Sequence, residues 1–295
     1  RMHNKSFTAD NQVAIVGGRN IGDEYFGANM EVGFQDLDVM TVGPVVREVS
    51  QEFDLFWNSA SAYPGASLLP AAAPESLAQL KAAWEANRNR QEAQEYIEAT
   101  SRTPLVTEVM QGKLDFEWTS AHVLHDDPAK ALQPTDRTDL HMLPRLEATL
   151  GRPDKELDLV SPYFVPGKDG TASLSALAAR GVKVRVLTNS LSATDVAPVH
   201  AGYAKYRKEL LESGITLYEL KPGAAVPPPD KESRPHGLPG SGSTGGGSAA
   251  SLHAKTFAAD RKRIFVGSFN LDPRSAKHNT EMGVVIDSPK LAGQL

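Results

Sequence analysis

Two histidines and two lysines, repeated at an interval of 250 residues, carry the reactive chemistry of this chain. Residues 3–10 read HNKSFTAD and residues 253–260 read HAKTFAAD. Each copy then runs on to small residues and an asparagine: Gly17, Gly18 and Asn20 in the first, Gly267, Ser268 and Asn270 in the second. Between residues 3–20 and 253–270 the copies agree at eight of eighteen positions, where ordinary composition gives about one match. The shared residues are mostly polar and reactive, whereas a repeat kept for packing would retain Leu, Val and Ile. We read the repeat as one active site assembled from two halves. In an extended strand alternate side chains share a face, so His3 points with Lys5, and His253 with Lys255. An imidazole beside an ammonium, supplied twice, meets the needs of phosphodiester cleavage: a nucleophile for phosphorus, an acid for the leaving alkoxide, and fixed positive charge for the non-bridging oxygens. With an ordinary histidine pKa of about 6.5, one ring can be neutral and attack while the other is protonated and donates. The scheme asks for no metal and no cofactor.

Further residues are placed to support this chemistry. Asn20 and Asn270 fall at the ends of the following strands, where an amide can hold a phosphate oxygen. Glu281, and on the other side Asp36 or Asp38, are positioned to orient the far nitrogen of each histidine and so fix its tautomer. Asp10 and Asp260 are repeated with the motif and count as catalytic candidates, although an aspartate opening a turn more readily caps its own backbone amides.

These residues need strands to carry them. Residues 3–9 and 12–18 read as two strands joined at Asp10 and Asn11, the second stopping at a Gly-Gly pair. FQDLDVMTV, within residues 31–42, reads as one further strand, and Pro44 to Trp57 has helical apolar spacing at Val45, Val46, Val49, Phe53 and Phe56. Helix-forming residues dominate from about Glu75 to Glu98, and the polar stretch 119–150 has no clear period. Strands and helices then alternate over residues 156–220, with helices closing at Gly181 and Gly214, which is the pattern of parallel α/β sheet. Lys221 to Ala250 is a Gly/Ser/Pro loop too poor in apolar groups to order itself by burial, and a long surface connection suits it better than a lid. Three regions follow: 1–60 with the first motif, 61–155 as a helical or irregular insertion, and 156–295 with the second motif.

The doubled pattern H-x-K-x4-D-x6-G-(G/S)-x-N resembles the phospholipase D superfamily. GGRNIGDEYFGA and GSFNLDPRSAKHNTEMG look most like its bacterial cardiolipin synthase branch. The resemblance covers residues 1–60 and about 156–290. It implies an α/β, pseudo-twofold sandwich with both motifs meeting between the halves, and a phosphohistidine intermediate resolved by water or an alcohol. It further implies His3 as nucleophile, His253 as acid, and a serine of the second motif, Ser275, beside the reaction. The expected substrate is a phospholipid such as phosphatidylglycerol, with phosphatidylethanolamine a second candidate, met at a membrane surface. The expected location is the cytoplasmic face of a bacterial inner membrane, or the cytoplasm. In one respect the chain departs from the pattern: a β-α-β-α-β run precedes the second motif and nothing precedes His3, so the first half is expected to be short at its N-terminus and His3 prone to fraying.

Bulk properties narrow the alternatives. The chain has 295 residues, no cysteine and a net charge of −5, which removes disulfides and thiolate chemistry and offers no global basic field for nucleic acid. A nuclease on the same motif would need a local basic groove, and a non-catalytic scaffold would have no use for intact His, Lys and Asn in both copies. His122, His125, Asp126 and Asp127 lack a distal ligand pattern and read as a solvated surface segment rather than a metal site. Tyr163, Phe164, Phe116 and Trp118 read as core before acyl-chain lining. Arg274 suits phosphate or Glu281, and Arg261, Lys262 and Arg263 read as a solvated turn.

Overall fold

A computed structural model describes residues 1–28, 32–222 and 249–295; most of the Gly/Ser/Pro tract lies outside the described residues. The first motif begins a hairpin of β1 (Ser6–Ala9) and β2 (Val13–Gly17). The segment read as one strand divides at Asp36 and Leu37 into β3 (Val32–Gln35) and β4 (Asp38–Val42). β4 completes a three-stranded antiparallel sheet in the order β1-β2-β4, while β3 leaves it. Helix α1 (Pro44–Trp57) starts with proline at its first turn, where no amide partner is lost, and buries Val45, Val46, Val49 and Phe56. Helices α2 (Gly65–Leu68), α3 (Ser76–Arg88), α4 (Gln91–Ser101) and α5 (Pro104–Met110) follow.

The second half is a seven-stranded sheet. Its strands are β5 (Ala121–His125), β6 (Glu156–Val160), β7 (Lys183–Asn189), β8 (Thr216–Leu220), β10 (Thr256–Ala259), β11 (Arg263–Gly267) and β12 (Met282–Ile286), in the order β5-β12-β11-β10-β6-β7-β8. Between β8 and β10 comes β9 (Ala249–Leu252), which pairs with β3 in parallel and so ties the two halves together. Helix α6 (Met142–Leu150) precedes β6, and helices α7 (Gly167–Ala179) and α8 (Ala197–Glu212) make the crossovers of the parallel β6-β7-β8 unit. Helix α9 (Pro273–Lys277) follows the second Asn, and α10 (Pro289–Ala292) follows β12.

Two features of the polar stretch 119–150 correct its reading as irregular surface. Ala121–His125 is an edge strand paired with β12, and Met142–Leu150 is a helix burying Met142 and Leu146. The apolar alternation is too short to register, and Asp126 and Lys130 beside it are buried as a pair rather than solvated.

The pseudo-twofold α/β architecture is present, and it is most exact in the hairpins. β1 pairs with β2 and β10 with β11 in the same register, Ser6 opposite Val16 and Thr256 opposite Val266. Asp10 and Asn11 in one turn, Asp260 and Arg261 in the other, have φ between 50° and 54°, a left-handed conformation that aspartate tolerates in a tight turn. The counterparts differ in cover. β10 lies between β11 and β6, and Phe257 is 2% exposed; β1 is an edge strand, and Phe7 is 68% exposed.

β11 has the two-sided burial of a central strand. Phe265 stacks on Phe257 in the core beneath the large sheet, while Ile264 and Val266 face Ala14, Val16, Val46 and Val49 of the first half. The first glycine of each motif allows the strand end its close approach. A Cβ on Gly267 would lie 2.4 Å from the Met282 carbonyl oxygen, and one on Gly17 would lie 2.7 Å from that of Leu37. Since the obstacle is backbone, the Gly267→Ala variant is expected to lose roughly 2–4 kcal/mol of stability, read as a lowered urea midpoint at unchanged m-value.

Candidate active site

Each histidine lies at the junction of the halves and is held from the opposite half. The backbone N–H of His3 donates to the Thr280 carbonyl at 2.9 Å, and that of His253 donates to the Gln35 carbonyl at 2.7 Å. The next residue in each case supplies the carboxylate. Glu281 Oε2 lies 2.7 Å from His3 Nδ1, and Asp36 Oδ2 lies 2.6 Å from His253 Nδ1. Both carboxylates have fully buried side chains. With Nδ1 engaged, Nε2 is the nitrogen left to each ring for chemistry. His3 is not frayed, because a bridge between Met2 and Thr280 anchors the strand end beside it.

The lysines repeat the symmetry. Lys5 Nζ donates to the carbonyl of His3 at 2.7 Å, and Lys255 Nζ donates to that of His253. Burial lowers Lys5 to about 8 and Lys255 to about 7, with Asp36 and Glu281 opposing the fall in both. Burial also pushes His253 below its ordinary value, against the pull of Asp36, and favours a neutral ring. Asp36 is raised by burial but lowered more by its bond to His253 and by Lys255, and stays an anion. One cluster of two imidazoles, two ammonium groups and two carboxylates results.

The structure separates the remaining candidates. Asn20 Nδ2 donates to the Tyr25 hydroxyl at 2.6 Å; Asn270 is buried, and its Oδ1 finds no partner among the described residues. Ser275 is fully buried, and its hydroxyl likewise has no partner there. Asp38 does not reach a histidine: Arg19 Nε binds it at 2.6 Å, leaving Asp36, which lies over Gly18, to orient His253. Asp260 is a structural residue. It closes the far end of the β10–β11 hairpin, about 16 Å of strand from Lys255, and accepts N–H bonds from Asp154, Lys155 and Glu156 at 2.7–3.2 Å. Those bonds outweigh burial and hold its carboxyl below the usual range. Asp10 occupies the matching turn, exposed and equally remote. Arg274 is not paired with Glu281, whose carboxylate takes His3, Ser268 and Asn279. Tyr163 donates to Asp195 at 2.7 Å and Phe164 is core, whereas Trp118 is 80% exposed and, with Phe116, lines a cleft of about 630 Å³ beside β4 and β5.

Two groups escaped the sequence reading. Tyr25 places its hydroxyl 3.5 Å from His253 Nε2 and its ring edge-on to the imidazole at 4.9 Å. Its distance of 250 from Ser275 was the available signal. The other is a buried ion pair behind Glu281. Asp126 Oδ2 accepts Lys130 Nζ at 2.9 Å and the Glu281 N–H at 2.7 Å, its Oδ1 accepts the Met142 N–H at the start of α6, and Lys130 also donates to the Ser275 carbonyl at 2.9 Å. Of the supposed surface cluster of His122, His125, Asp126 and Asp127, Asp126 supports the site; Asp127 caps a short helical turn, His125 bonds the Asp126 carbonyl, and His122 is exposed.

This pairing of motifs on a pseudo-twofold α/β frame defines a phospholipase D-like protein. The chain belongs to the cardiolipin synthase, PLD-like domain family, whose model matches residues 146–295. It is 46% identical over 295 residues to cardiolipin synthase C of Escherichia coli strain K12, covering 99% of this chain and 59% of that protein. An uncharacterized protein of Helicobacter pylori is 31% identical over 302 residues, with 99% of this chain and 55% of that protein covered. The chain thus spans a little over half the length of these relatives. The crystal structure of phosphatidylserine synthase from Haemophilus influenzae shares the fold, with a TM-score of 0.58 at 16% identity, over 99% of this chain and 58% of that one.

Lys130→Met leaves Asp126 buried without its cation, and is expected to cost about 3–5 kcal/mol. In the double variant Asp126→Asn/Lys130→Met part of that loss should return, which urea unfolding of the three proteins would measure.

Proposed function

We propose that the protein is a phosphatidyltransferase that works through a phosphohistidine, as expected of a cardiolipin synthase. The crossed histidine–carboxylate pairs carry this reading. They leave the Nε2 of each ring for chemistry, and Lys5 and Lys255 both lie within electrostatic reach of Asp36 and Glu281. One imidazole attacks phosphorus as the neutral base; the other, protonated, gives its proton to the departing alkoxide. Lys5 and Lys255 balance the non-bridging oxygens, and an alcohol then displaces the histidine with the proton path reversed. Family usage assigns the attack to His3. The negative charge of a phosphate beside His253 opposes the effect of burial on the ring and favours its protonated form.

The substrate we infer is a glycerophospholipid, phosphatidylglycerol first and phosphatidylethanolamine second, taken from a bilayer by a protein peripheral to the cytoplasmic face of a bacterial inner membrane. No described helix is long and apolar enough to cross a membrane.

Vesicles of labelled phosphatidylglycerol, with and without phosphatidylethanolamine, separate the outcomes. Cardiolipin is the expected product; phosphatidic acid alone would mean that water resolves the intermediate. His3→Asn and His253→Asn should each lower turnover about 10³-fold, and a wild type no more active than either would reject the reading. The lysine values set a pH dependence. Both groups are cationic below about 7, lose their charge as pH rises through about 7 to 8, and so KM for phospholipid should climb over that interval. Lys5→Arg, which does not titrate there, should show a shallower climb.

A further inference from the structure

We propose that Tyr25 is a further catalytic residue, its phenol donating a hydrogen bond to the substrate oxygen that lies at His253 Nε2 while the proton itself is delivered by the imidazole. The proposal rests on the phosphodiester chemistry above and adds a donor that the repeated motif does not contain.

The geometry around the phenol is specific. Asn20 Nδ2 donates to the phenol oxygen at 2.6 Å, so that oxygen is already an acceptor and its own proton must be directed elsewhere. The nearest outlet is toward His253 Nε2, but the separation of 3.5 Å is longer than a good O–H···N bond, which lies at about 2.7–3.0 Å. An oxygen bound at the edge of that gap can accept a hydrogen bond from both groups at ordinary distances. Asp36 occupies the opposite ring nitrogen, which confines the imidazole's chemistry to the same gap.

The tyrosine is also fixed in advance. It is 8% exposed, packs against Phe34 at 4.8 Å between ring centres, and has its backbone carbonyl held by Arg19. Burial raises the phenol above its ordinary value, so it keeps its proton and acts as a donor, not a base. A neutral donor held in place before substrate arrives stabilises developing charge without reorganising.

The repeat supplies an independent observation. Tyr25 and Ser275 stand 250 residues apart, at the same step of the two motifs. Each follows its asparagine by five residues and lies in a short helical turn. Ser275 is fully buried, yet its hydroxyl is without a partner among the described residues. A buried hydroxyl left unpaired is costly unless a ligand completes it. Asp272, which accepts the Ser275 N–H at 3.0 Å, lies within electrostatic reach of His3. The second half thus carries a buried, unpartnered hydroxyl at the step where the first half carries its phenol.

Tyr25→Phe tests this, because it keeps the ring and removes only the hydroxyl. The expected result with phosphatidylglycerol vesicles is a fall in kcat of about 10²-fold, with KM within about twofold and an unchanged melting temperature. A Tyr25→Phe protein that keeps kcat within about threefold of an active wild type overturns the proposal and leaves the phosphatidyltransferase reading intact. Binding of inorganic phosphate, measured by calorimetry on both proteins, decides the matter should the wild type turn over no lipid: about tenfold weaker binding in Tyr25→Phe supports the contact, and equal binding overturns it.

Discussion

The site depends on an exchange between its halves: each imidazole takes both its backbone anchor and its carboxylate from the other motif's side. His3 is held by Thr280 and Glu281, and His253 by Gln35 and Asp36. Neither half can orient its own histidine. The apolar faces of β2, α1, β11 and β12 that press the halves together are thus part of the catalytic apparatus, since a small shift between them would lengthen both carboxylate bonds at once. Burial strengthens those bonds by excluding water, and the same exclusion lowers the two lysines toward neutrality. Negative charge placed beside these groups would favour their cationic forms.

The symmetry holds in the registers of the two hairpins and is broken in the side chains. Where Gly18 makes room for Asp36, its counterpart Ser268 donates to Glu281 at 2.6 Å. Behind Glu281 stands the Asp126–Lys130 pair, with side chains almost wholly buried. Asn4, between His3 and Lys5, donates to the buried Glu52, whose carboxyl burial pushes up to about 7, while Ala254 takes its place in the second motif. His253 is instead ringed by Tyr25 and Phe34. Two chemically equal rings therefore sit in unequal surroundings, as a reaction with distinct attacking and protonating groups requires.

Much of the frame was legible from local pattern. The alternation over residues 156–220, the hairpins and the helix from Pro44 all follow from periodicity and turn chemistry, because each is decided within a few residues. The single strand read into FQDLDVMTV failed for a tertiary reason. Its first part is drawn off to pair with β9, more than two hundred residues away, and the break leaves Asp36 free to reach His253. The polar stretch 119–150 failed similarly, since Asp126 and Lys130 are buried by satisfying each other and composition reports only their charge.

The sequence by itself determined which groups are present and that they come in two matched sets; a repeat of reactive residues at constant spacing carries that information without any coordinates. It also determined the hairpins, because Asp at a left-handed turn position is a local preference. Only the tertiary structure decided which carboxylate serves which histidine, that Asp38 belongs to Arg19, that Asp260 braces a strand end, and that Tyr25 stands at the second imidazole. Those assignments depend on distances between segments far apart in the chain, and such distances exist only once the two halves have closed on a shared core.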